Sequence, residues 1–237
     1  MWVLTLPVGM LGELQWLALE VKYVERVQAF YEAFLDLEVE QSTDGEVTLA
    51  AGDTDLVLRA PGNTPRGGLH THYAAGVPTA KYDVWYDRLD EQFNLVEQTI
   101  DDARSLYFYD PAGNCVELGE REIGEKGVGS VFEVVFEVEH LDPAVAFYEG
   151  LGFEVVDRGE ERARLTTGPR GVELWEPRLG IADARGGVHV DIGVAATDPA
   201  ATVDPVRDDA SAVTPVEGGL RVRDPDGHKL SLLTTDD

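Results

Sequence analysis

Alternation of apolar and polar residues marks short strands along most of this chain, and a helical period interrupts them at regular places. Leu14–Val21 and Val131–Val138 alternate with the period of two that is typical of half-buried strands. Each is followed by an amphipathic helical pattern, over Val24–Leu35 and over Pro143–Leu151. The pattern therefore predicts an α+β protein in which a strand and a helix open each structural unit.

Shorter elements follow each of these helices. In the second helix, Asp142 is placed to cap the first turn and Pro143 to begin it. Strands are predicted near Val39, Val47, Leu56, Val155, Ala163 and Val172, over Leu69–Ala74 and over Val188–Val194. Further helices are predicted over Tyr82–Phe93 and, interrupted by Pro205, over Pro199–Asp208.

The stretch Ser105–Glu120 is predicted to form two strands joined by a tight turn. Aromatic strand formers precede the turn, and Asp110–Asn114 contains the Pro, Gly and Asn that turns favour. Glu117 follows inside an otherwise apolar strand. A carboxylate there either lies at a strand edge in water or points into a pocket that holds a cation.

Three motifs recur in the second half of the chain, which indicates an internal duplication. The matching segments are 29–32 with 146–149, 67–70 with 186–189, and 110–113 with 224–227. Each half is predicted to contain two βαβββ modules, so the chain contains four. The predicted domains are residues 1–122 and 131–237, joined by the Gly-rich linker 123–130.

The charge balance limits the partners that this protein can have. The chain contains 45 Asp and Glu against 19 Lys and Arg, which gives a net charge of −26. Such a surface repels nucleic acids and anionic lipids, so neither is an expected partner. Self-repulsion is relieved at molar salt, where the Debye length is about 3 Å. The composition resembles that of proteins from salt-accumulating archaea.

Cysteine usage and hydropathy point to the cytoplasm. Cys115 is the only cysteine, which excludes an internal disulfide and agrees with a reducing compartment. The apolar runs are of strand length and are shorter than a membrane span. The apolar segment at residues 1–12 has no basic residues before it, so we interpret it as a first strand rather than a signal peptide.

The repeated segments resemble the vicinal oxygen chelate superfamily, which includes glyoxalase, extradiol dioxygenases, and fosfomycin- and bleomycin-resistance proteins. The residues that carry the resemblance are Val24–Tyr31, the Gly-Gly-Leu-His segment at 67–70 and the segment 110–118. The resemblance covers nearly the whole chain, twice. It implies two tandem domains with curled, cup-shaped mixed sheets. It also implies a divalent metal held by one residue from each opening strand and by the Glu after the turn.

Position by position, the resemblance assigns metal ligands mainly to the first half. Glu117 falls on the carboxylate position and His72 on the second opening-strand position, whereas Trp16 falls on the first and cannot ligate. The corresponding residues of the second half are Glu133, Asp191 and Ser231. Glu133, Glu137, His189 and Asp191 could gather on one face of that cup. We interpret the second half as a degenerate site, although its acidic groups could also hold a hard cation.

Strand parity suggests how the missing ligand is replaced. His70 and His72 are two residues apart and are predicted to share a face, with Trp16 and Glu20 on the opposite wall. His70, His72 and Glu117 would then form the 2-His-1-carboxylate set that suits Fe(II) or Mn(II). Glu20 is an alternative ligand.

Each of these residues also has a structural interpretation. His70 could lie near solvent at a strand end, His72 could be a core histidine, and Glu117 could pair with Arg59 or Arg104. Cys115 is predicted to line the pocket as a small packed residue rather than a nucleophile. Trp16 would either stack on a planar ligand or fill the cavity.

Two functions remain open at this point. One is a metal-dependent enzyme, with Fe, Mn, Zn or Ni, that acts on a small substrate with vicinal oxygens by extradiol dioxygenation or by glyoxalase-like lyase or isomerase chemistry. The other is a metal-free binding protein of the bleomycin-resistance type. Either is expected to act on a small molecule, as a monomer or a homodimer.

Overall fold

Two eight-stranded mixed sheets dominate the computed structural model, which describes residues 11–62, 70–100, 102–124, 127–177 and 190–234. The first sheet has the strands β1 (Leu11–Glu20), β2 (Val39–Thr43), β3 (Glu46–Ala51), β4 (Thr54–Arg59), β13 (Val190–Ala196), β14 (Ala212–Val216), β15 (Gly219–Arg223) and β16 (Lys229–Thr234). The second has β5 (His70–Pro78), β6 (Val96–Ile100), β7 (Ala103–Tyr109), β8 (Cys115–Arg121), β9 (Val131–Glu137), β10 (Glu154–Arg158), β11 (Arg162–Thr166) and β12 (Gly171–Trp175).

Four α-helices cover the sheets in this part of the chain: α1 (Val24–Leu35), α2 (Tyr82–Asp90), α3 (Leu141–Leu151) and α4 (Pro199–Val203). The α+β class and the four βαβββ modules are confirmed. None of the helices is long and apolar enough to cross a membrane, within the residues described. The segments 67–69 and 186–189 lie outside the described residues, and so does His189.

The start of α3 differs from the sequence prediction. The helix begins at Leu141, and its N-cap is His140, whose side chain makes no capping bond. Asp142 is therefore in the first turn rather than before it. The carboxylate of Glu176 accepts the free N–H of Leu141 at 2.9 Å and so replaces a local cap with a tertiary one. The helix ends at Gly152, whose φ of 102° suits glycine.

Each sheet combines one module from the first half of the sequence with one from the second half. In the first, β1 of the first module pairs antiparallel with β13 of the fourth. In the second, β5 of the second module pairs antiparallel with β9 of the third. The strand orders are β14-β15-β16-β13-β1-β4-β3-β2 and β10-β11-β12-β9-β5-β8-β7-β6. Both sheets thus cross the predicted linker 123–130, and the boundaries 1–122 and 131–237 remain a prediction.

This pairing changes which candidate residues can meet. Trp16 and Glu20 lie on β1 of the first sheet, whereas His72 lies on β5 of the second. Strand parity within the first half predicted that Trp16 and Glu20 line the wall opposite His72 in one cup. This prediction is wrong, because they belong to different sheets. The predicted second-half site of Glu133, Asp191 and Ser231 does not form either. Glu133 is in the second sheet, whereas Asp191 and Ser231 are in the first. The sequence repeat identified the modules but did not specify which of their opening strands pair with each other.

Two buried hydrogen bonds join the sheets and use the repeated motifs. Tyr31 of α1, which packs on the first sheet, donates to Asp110 in the β7–β8 turn of the second sheet at 3.0 Å. Tyr148 of α3, which packs on the second sheet, donates to Asp224 in the β15–β16 turn of the first, also at 3.0 Å. The recurring Phe-Tyr and Asp-Pro motifs therefore form reciprocal contacts between the sheets.

Each aspartate also closes its own turn. One oxygen of Asp110 accepts the backbone N–H groups of Ala112 and Asn114 at 2.8 and 2.9 Å. The equivalent oxygen of Asp224 accepts those of Gly227 and His228, both at 2.7 Å. A buried carboxylate is tolerated here because several donors satisfy it.

We expect Tyr31→Phe to lower the free energy of unfolding by about 2–3 kcal/mol. The tyrosine oxygen donates to Asp110 and also accepts the hydroxyl of Tyr73 at 2.9 Å, so its loss leaves two buried polar groups short of a partner. Urea denaturation followed by fluorescence measures the change. Tyr23→Phe is the matched control, because Tyr23 is 58% exposed and should contribute little. Equal stabilities of the two variants would contradict the role of the inter-sheet bond.

Candidate metal centre

Four strands of the second sheet bring an imidazole and three carboxylates onto one face. Ala74 of β5 is opposite both Glu117 of β8 and Glu133 of β9, and His72 lies two residues before it. Val135, which is opposite His72, is also opposite Glu173 of β12. Since paired residues and residues two apart share a face, all four side chains point the same way. The sequence predicts His72 and Glu117 in one site, but it places Glu133 in another site and does not identify Glu173.

The first three of these side chains are close enough to share one cation. One ligand atom from each of His72, Glu117 and Glu133 lies within 4.8 Å of the other two. The Nε2 atom of His72 is 3.1 Å from a carboxylate oxygen of Glu117, and these two residues are buried. An imidazole nitrogen with carboxylate oxygens is a donor set that fits Mn, Fe, Zn or Ni. The cluster therefore has the chemistry and the spacing that a divalent metal site requires.

Glu117 is held in its ionised form by hydrogen bonds. Burial opposes ionisation, but the contact with His72 and the hydroxyl groups of Ser105 and Tyr107 outweigh it and lower the pKa of Glu117. The Ser105 hydroxyl donates at 2.7 Å. The alternative ion pairs do not form, because Arg59 contacts Glu46 and Asp191, and Arg104 contacts Glu120 and Asp83. Glu117 thus faces the cluster as a charged group.

The ring of His72 is oriented by its neighbours. Its Nδ1 atom is 3.1 Å from the Thr71 hydroxyl, so Nε2 is the nitrogen that faces Glu117. The rings of Tyr107 and Trp175 pack against the imidazole ring in T-shaped contacts, with centroids 5.5 and 5.6 Å away. A hydrogen bond at the outer nitrogen and aromatic packing are the features that fix a histidine ligand.

Arginines from the neighbouring strand β11 balance the remaining two carboxylates. Arg164 contacts Glu133 at 3.1 Å, and Arg162 contacts Glu173 at 3.6 Å. The indole N–H of Trp175 also donates to Glu173 at 2.6 Å. Burial, together with the neighbouring charge of Glu173, raises the pKa of Glu133 to about 7 despite Arg164. Burial and the charge of Glu173 thus favour the protonated form of Glu133 in the absence of a metal.

His70 lies on the opposite face of the sheet, and the parity prediction for it is wrong. The pairing of β5 with β9 is irregular between His70 and His72, so that these residues oppose the successive residues Phe136 and Val135. An extra residue in one strand reverses the alternation, which sequence parity cannot detect. His70 is buried, its Nε2 atom has no hydrogen-bond partner among the described residues, and burial lowers its pKa to about 3.

A cavity of about 430 Å³ opens over the cluster, and it is lined by residues of the second sheet. Cys115 is buried and is not among the lining side chains that are described, although it shares a strand with Glu117. Burial raises the pKa of its thiol to about 12, which disfavours a nucleophilic role. The cavity wall is instead aromatic and charged, with Tyr107, Phe132 and Trp175 beside the carboxylates.

The corresponding face of the first sheet carries a different set of groups. The register places Trp16, Asp191, Ser231 and Val57 where the second sheet has Glu133, His72, Glu117 and Glu173. Trp16 packs against Gly193, where an added Cβ would come within 2.2 Å of the indole ring. Gly193 of the first sheet corresponds to Ala74 of the second sheet. The indole of Trp16 therefore fills the space beside this position in the first sheet.

Ion pairs occupy the rest of this face. Asp191 is paired with Arg59 at 3.1 Å and with Arg221 at 2.7 Å, and it accepts a hydrogen bond from Ser231. Glu20, the alternative ligand, contacts Lys229 at 2.9 Å. These groups are neutralised by cations, and the described residues form no second cluster of potential metal ligands.

Comparisons with known proteins agree on the architecture. No protein-family model matches the sequence, and no curated protein matches it significantly. A Bacillus subtilis protein proposed to be a dioxygenase is 19% identical, with a TM-score of 0.75 over 96% of this chain and 86% of its own. A glyoxalase I variant from Zea mays is 14% identical, with a TM-score of 0.71 over 94% and 93%, and glyoxalase I itself is 17% identical, with 0.67 over 94% and 92%. The chain therefore shares the fold of these proteins, the vicinal oxygen chelate fold.

Proposed function

We propose that this protein is a divalent-metal-dependent lyase or isomerase that acts on a small substrate with adjacent oxygen atoms. The observation that carries the proposal is the convergence of His72, Glu117 and Glu133 within 4.8 Å on the cavity face of the second sheet. These three residues would hold the ion, with Glu173 beside them. When bound, such an ion acts as a Lewis acid toward a substrate oxygen.

Each residue has a distinct part in this proposal. His72 and Glu117 provide the most buried ligand atoms, and their hydrogen bonds to Thr71 and Ser105 keep them in place. Glu133 is the proposed proton acceptor, because it is the least buried of the three residues and lines the cavity. It would take a proton from a carbon next to a substrate carbonyl and return it to the neighbouring position.

The donor set favours proton transfer over dioxygenation. A facial triad for Fe(II) needs two imidazoles and one carboxylate. The second imidazole, that of His70, lies on the other face, and the cluster instead offers one imidazole with carboxylates. Carboxylate-rich sites suit hard or borderline divalent ions that polarise oxygen without changing oxidation state.

One observation supports the alternative of a metal-free binding protein. Arg164 and Arg162 contact Glu133 and Glu173 directly, so both carboxylates have a cationic partner without a metal ion. In that case the aromatic and arginine side chains of the cavity would bind a small molecule by themselves.

Metal content separates the two functions. We expect the protein, refolded or dialysed with Mn²⁺, Zn²⁺ or Ni²⁺ in high salt and then desalted, to retain about one equivalent of metal. Elemental analysis by inductively coupled plasma mass spectrometry measures the ratio. Retention of less than about a tenth of an equivalent of every metal would reject the enzyme and leave the binding protein.

We expect Mn²⁺ affinity to rise between pH 6 and pH 8. Since the pKa of Glu133 is about 7, the metal must displace a proton at lower pH, and the Kd should fall by up to about tenfold per pH unit on that side. Isothermal titration calorimetry in several buffers measures the Kd and the proton release. Glu173→Gln should shift this dependence to lower pH, because it removes the neighbouring negative charge. A Kd that is constant over the range would contradict the assignment of Glu133.

A further inference from the structure

Three arginines line the cavity of an otherwise strongly acidic protein. The chain has only 19 basic residues against 45 acidic ones, yet Arg121, Arg162 and Arg164 are at this cavity. Arg162 and Arg164 extend from β11 and are a little under half exposed, so their guanidinium groups are accessible from the cavity. The guanidinium group of Arg121 lies 3.9 Å above the ring of Phe132.

These guanidinium groups retain donors for another acceptor. Arg162 contacts Asp157 through Nη2 at 3.2 Å and Glu173 through Nη1 at 3.6 Å, so two of its five N–H groups are engaged. Arg164 contacts Glu133 through Nε, and no other ion pair of Arg164 is present in the described part of the chain. Arg121 forms no ion pair with any described residue, and its one hydrogen bond there goes to the backbone oxygen of Glu120. Since a guanidinium group has five N–H donors, several remain available at the cavity.

The charge of the cavity depends on its metal. Its lining contains four carboxylates, those of Glu117, Glu133, Asp157 and Glu173, and the three guanidinium groups. With all four carboxylates ionised, these groups carry a net charge of −1, and a divalent cation changes this to +1. A cation bound to these carboxylates also weakens their electrostatic attraction to the neighbouring arginines. A metal-loaded cavity would therefore attract an anion, in spite of the net charge of −26 on the whole chain.

We propose that the substrate carries a carboxylate in addition to its metal-binding oxygens, and that Arg162 and Arg164 bind this carboxylate. The fork of N–H donors on a guanidinium group matches the two oxygens of a carboxylate. A net charge of +1 suits one carboxylate better than a phosphate dianion. This inference rests on the proposed metal-dependent function and specifies its substrate class: small carboxylic acids with vicinal oxygens.

A matched pair of probes tests the inference by binding rather than by turnover. 3,4-Dihydroxybenzoate and 3,4-dihydroxybenzamide present the same vicinal oxygens and differ in the charge of one substituent. With Mn²⁺-loaded protein, we expect the benzoate to bind at least about tenfold more tightly than the amide in isothermal titration calorimetry. In the double variant Arg162→Gln/Arg164→Gln this ratio should fall to about one, while Mn²⁺ remains bound.

Arg158→Gln is the control for loss of a positive charge alone. Arg158 lies on the adjacent strand β10, pairs with Asp142 and does not line the cavity, so this variant should keep the tenfold ratio. Equal affinities for the two probes in the unmodified, Mn²⁺-loaded protein would reject the carboxylate site alone. A preference that survives in the double variant would reject the role of the two arginines. Failure to bind Mn²⁺ would reject the proposed function and this inference with it.

Discussion

Replacing His72 by Ala is expected to raise the Kd for Mn²⁺ by at least about 100-fold. Loss of a group that only orients a ligand costs about 10–100-fold in metal affinity, and His72 supplies the single imidazole of the cluster. The remaining carboxylates would lose the neutral donor that separates them. Titration calorimetry, or electron paramagnetic resonance of free Mn²⁺, measures the change.

Two further variants make the result specific. Glu117→Gln keeps the size of the side chain and its contact with Ser105 but removes the charge, so it should weaken Mn²⁺ binding to a similar extent. His140→Ala removes an exposed imidazole before α3 and should have no effect. Circular dichroism of all three variants shows whether they are folded. Unchanged affinity in folded His72→Ala protein would exclude the site.

The melting temperature is expected to rise by about 10 °C between 0.1 M and 2 M KCl. Salt weakens both the repulsion among carboxylates and the attraction within surface ion pairs. The repulsion outweighs the attraction, because 45 acidic residues face only 19 basic ones and exposed ion pairs contribute at most about 1 kcal/mol each. Differential scanning calorimetry measures the shift.

A variant with fewer acidic residues distinguishes the screening of charge repulsion from other effects of salt on stability. Asp87, Asp90 and Glu91 are exposed neighbours at the end of α2, and no ion pair involves them among the residues described. The variant Asp87→Asn/Asp90→Asn/Glu91→Gln should melt at a higher temperature than the native chain in 0.1 M KCl and at a similar one in 2 M KCl. A difference that is independent of salt would show that charge repulsion does not limit the stability.

Several elements could be predicted accurately because local physics determines them. The bounds of α1 agree with its hydrophobic period, and β7, β8 and the Asp110 turn follow from aromatic strand formers around Pro and Gly. Glu117 could be selected because a carboxylate inside an apolar strand needs a partner. The predicted βαβββ module requires the strand β6 (Val96–Ile100), but its position was not predicted, since most of its residues are exposed and it lacks a clear apolar alternation.

The composition of the candidate site could be predicted only in part. His72 and Glu117 lie on neighbouring strands of one module, so the repeat and the strand periodicity were enough to associate them. Glu133 and Glu173 belong to the next module and join them only through the pairing of β9 with β5. Glu173 had a usable signal, since it is another carboxylate inside a short apolar strand, between Val172 and Leu174.

The sequence by itself determined the modules, most of their secondary structure, the repeated Phe-Tyr and Asp-Pro motifs and the acidity of the surface. These features depend on neighbouring residues and on composition. Only the tertiary structure decided that the second and third modules share a sheet, that an irregularity in β5 turns His70 away, and that an indole and ion pairs fill the first sheet's equivalent site. Strand pairing between distant modules depends on which edges and side chains fit together in space, and a one-residue shift in a strand reverses its faces.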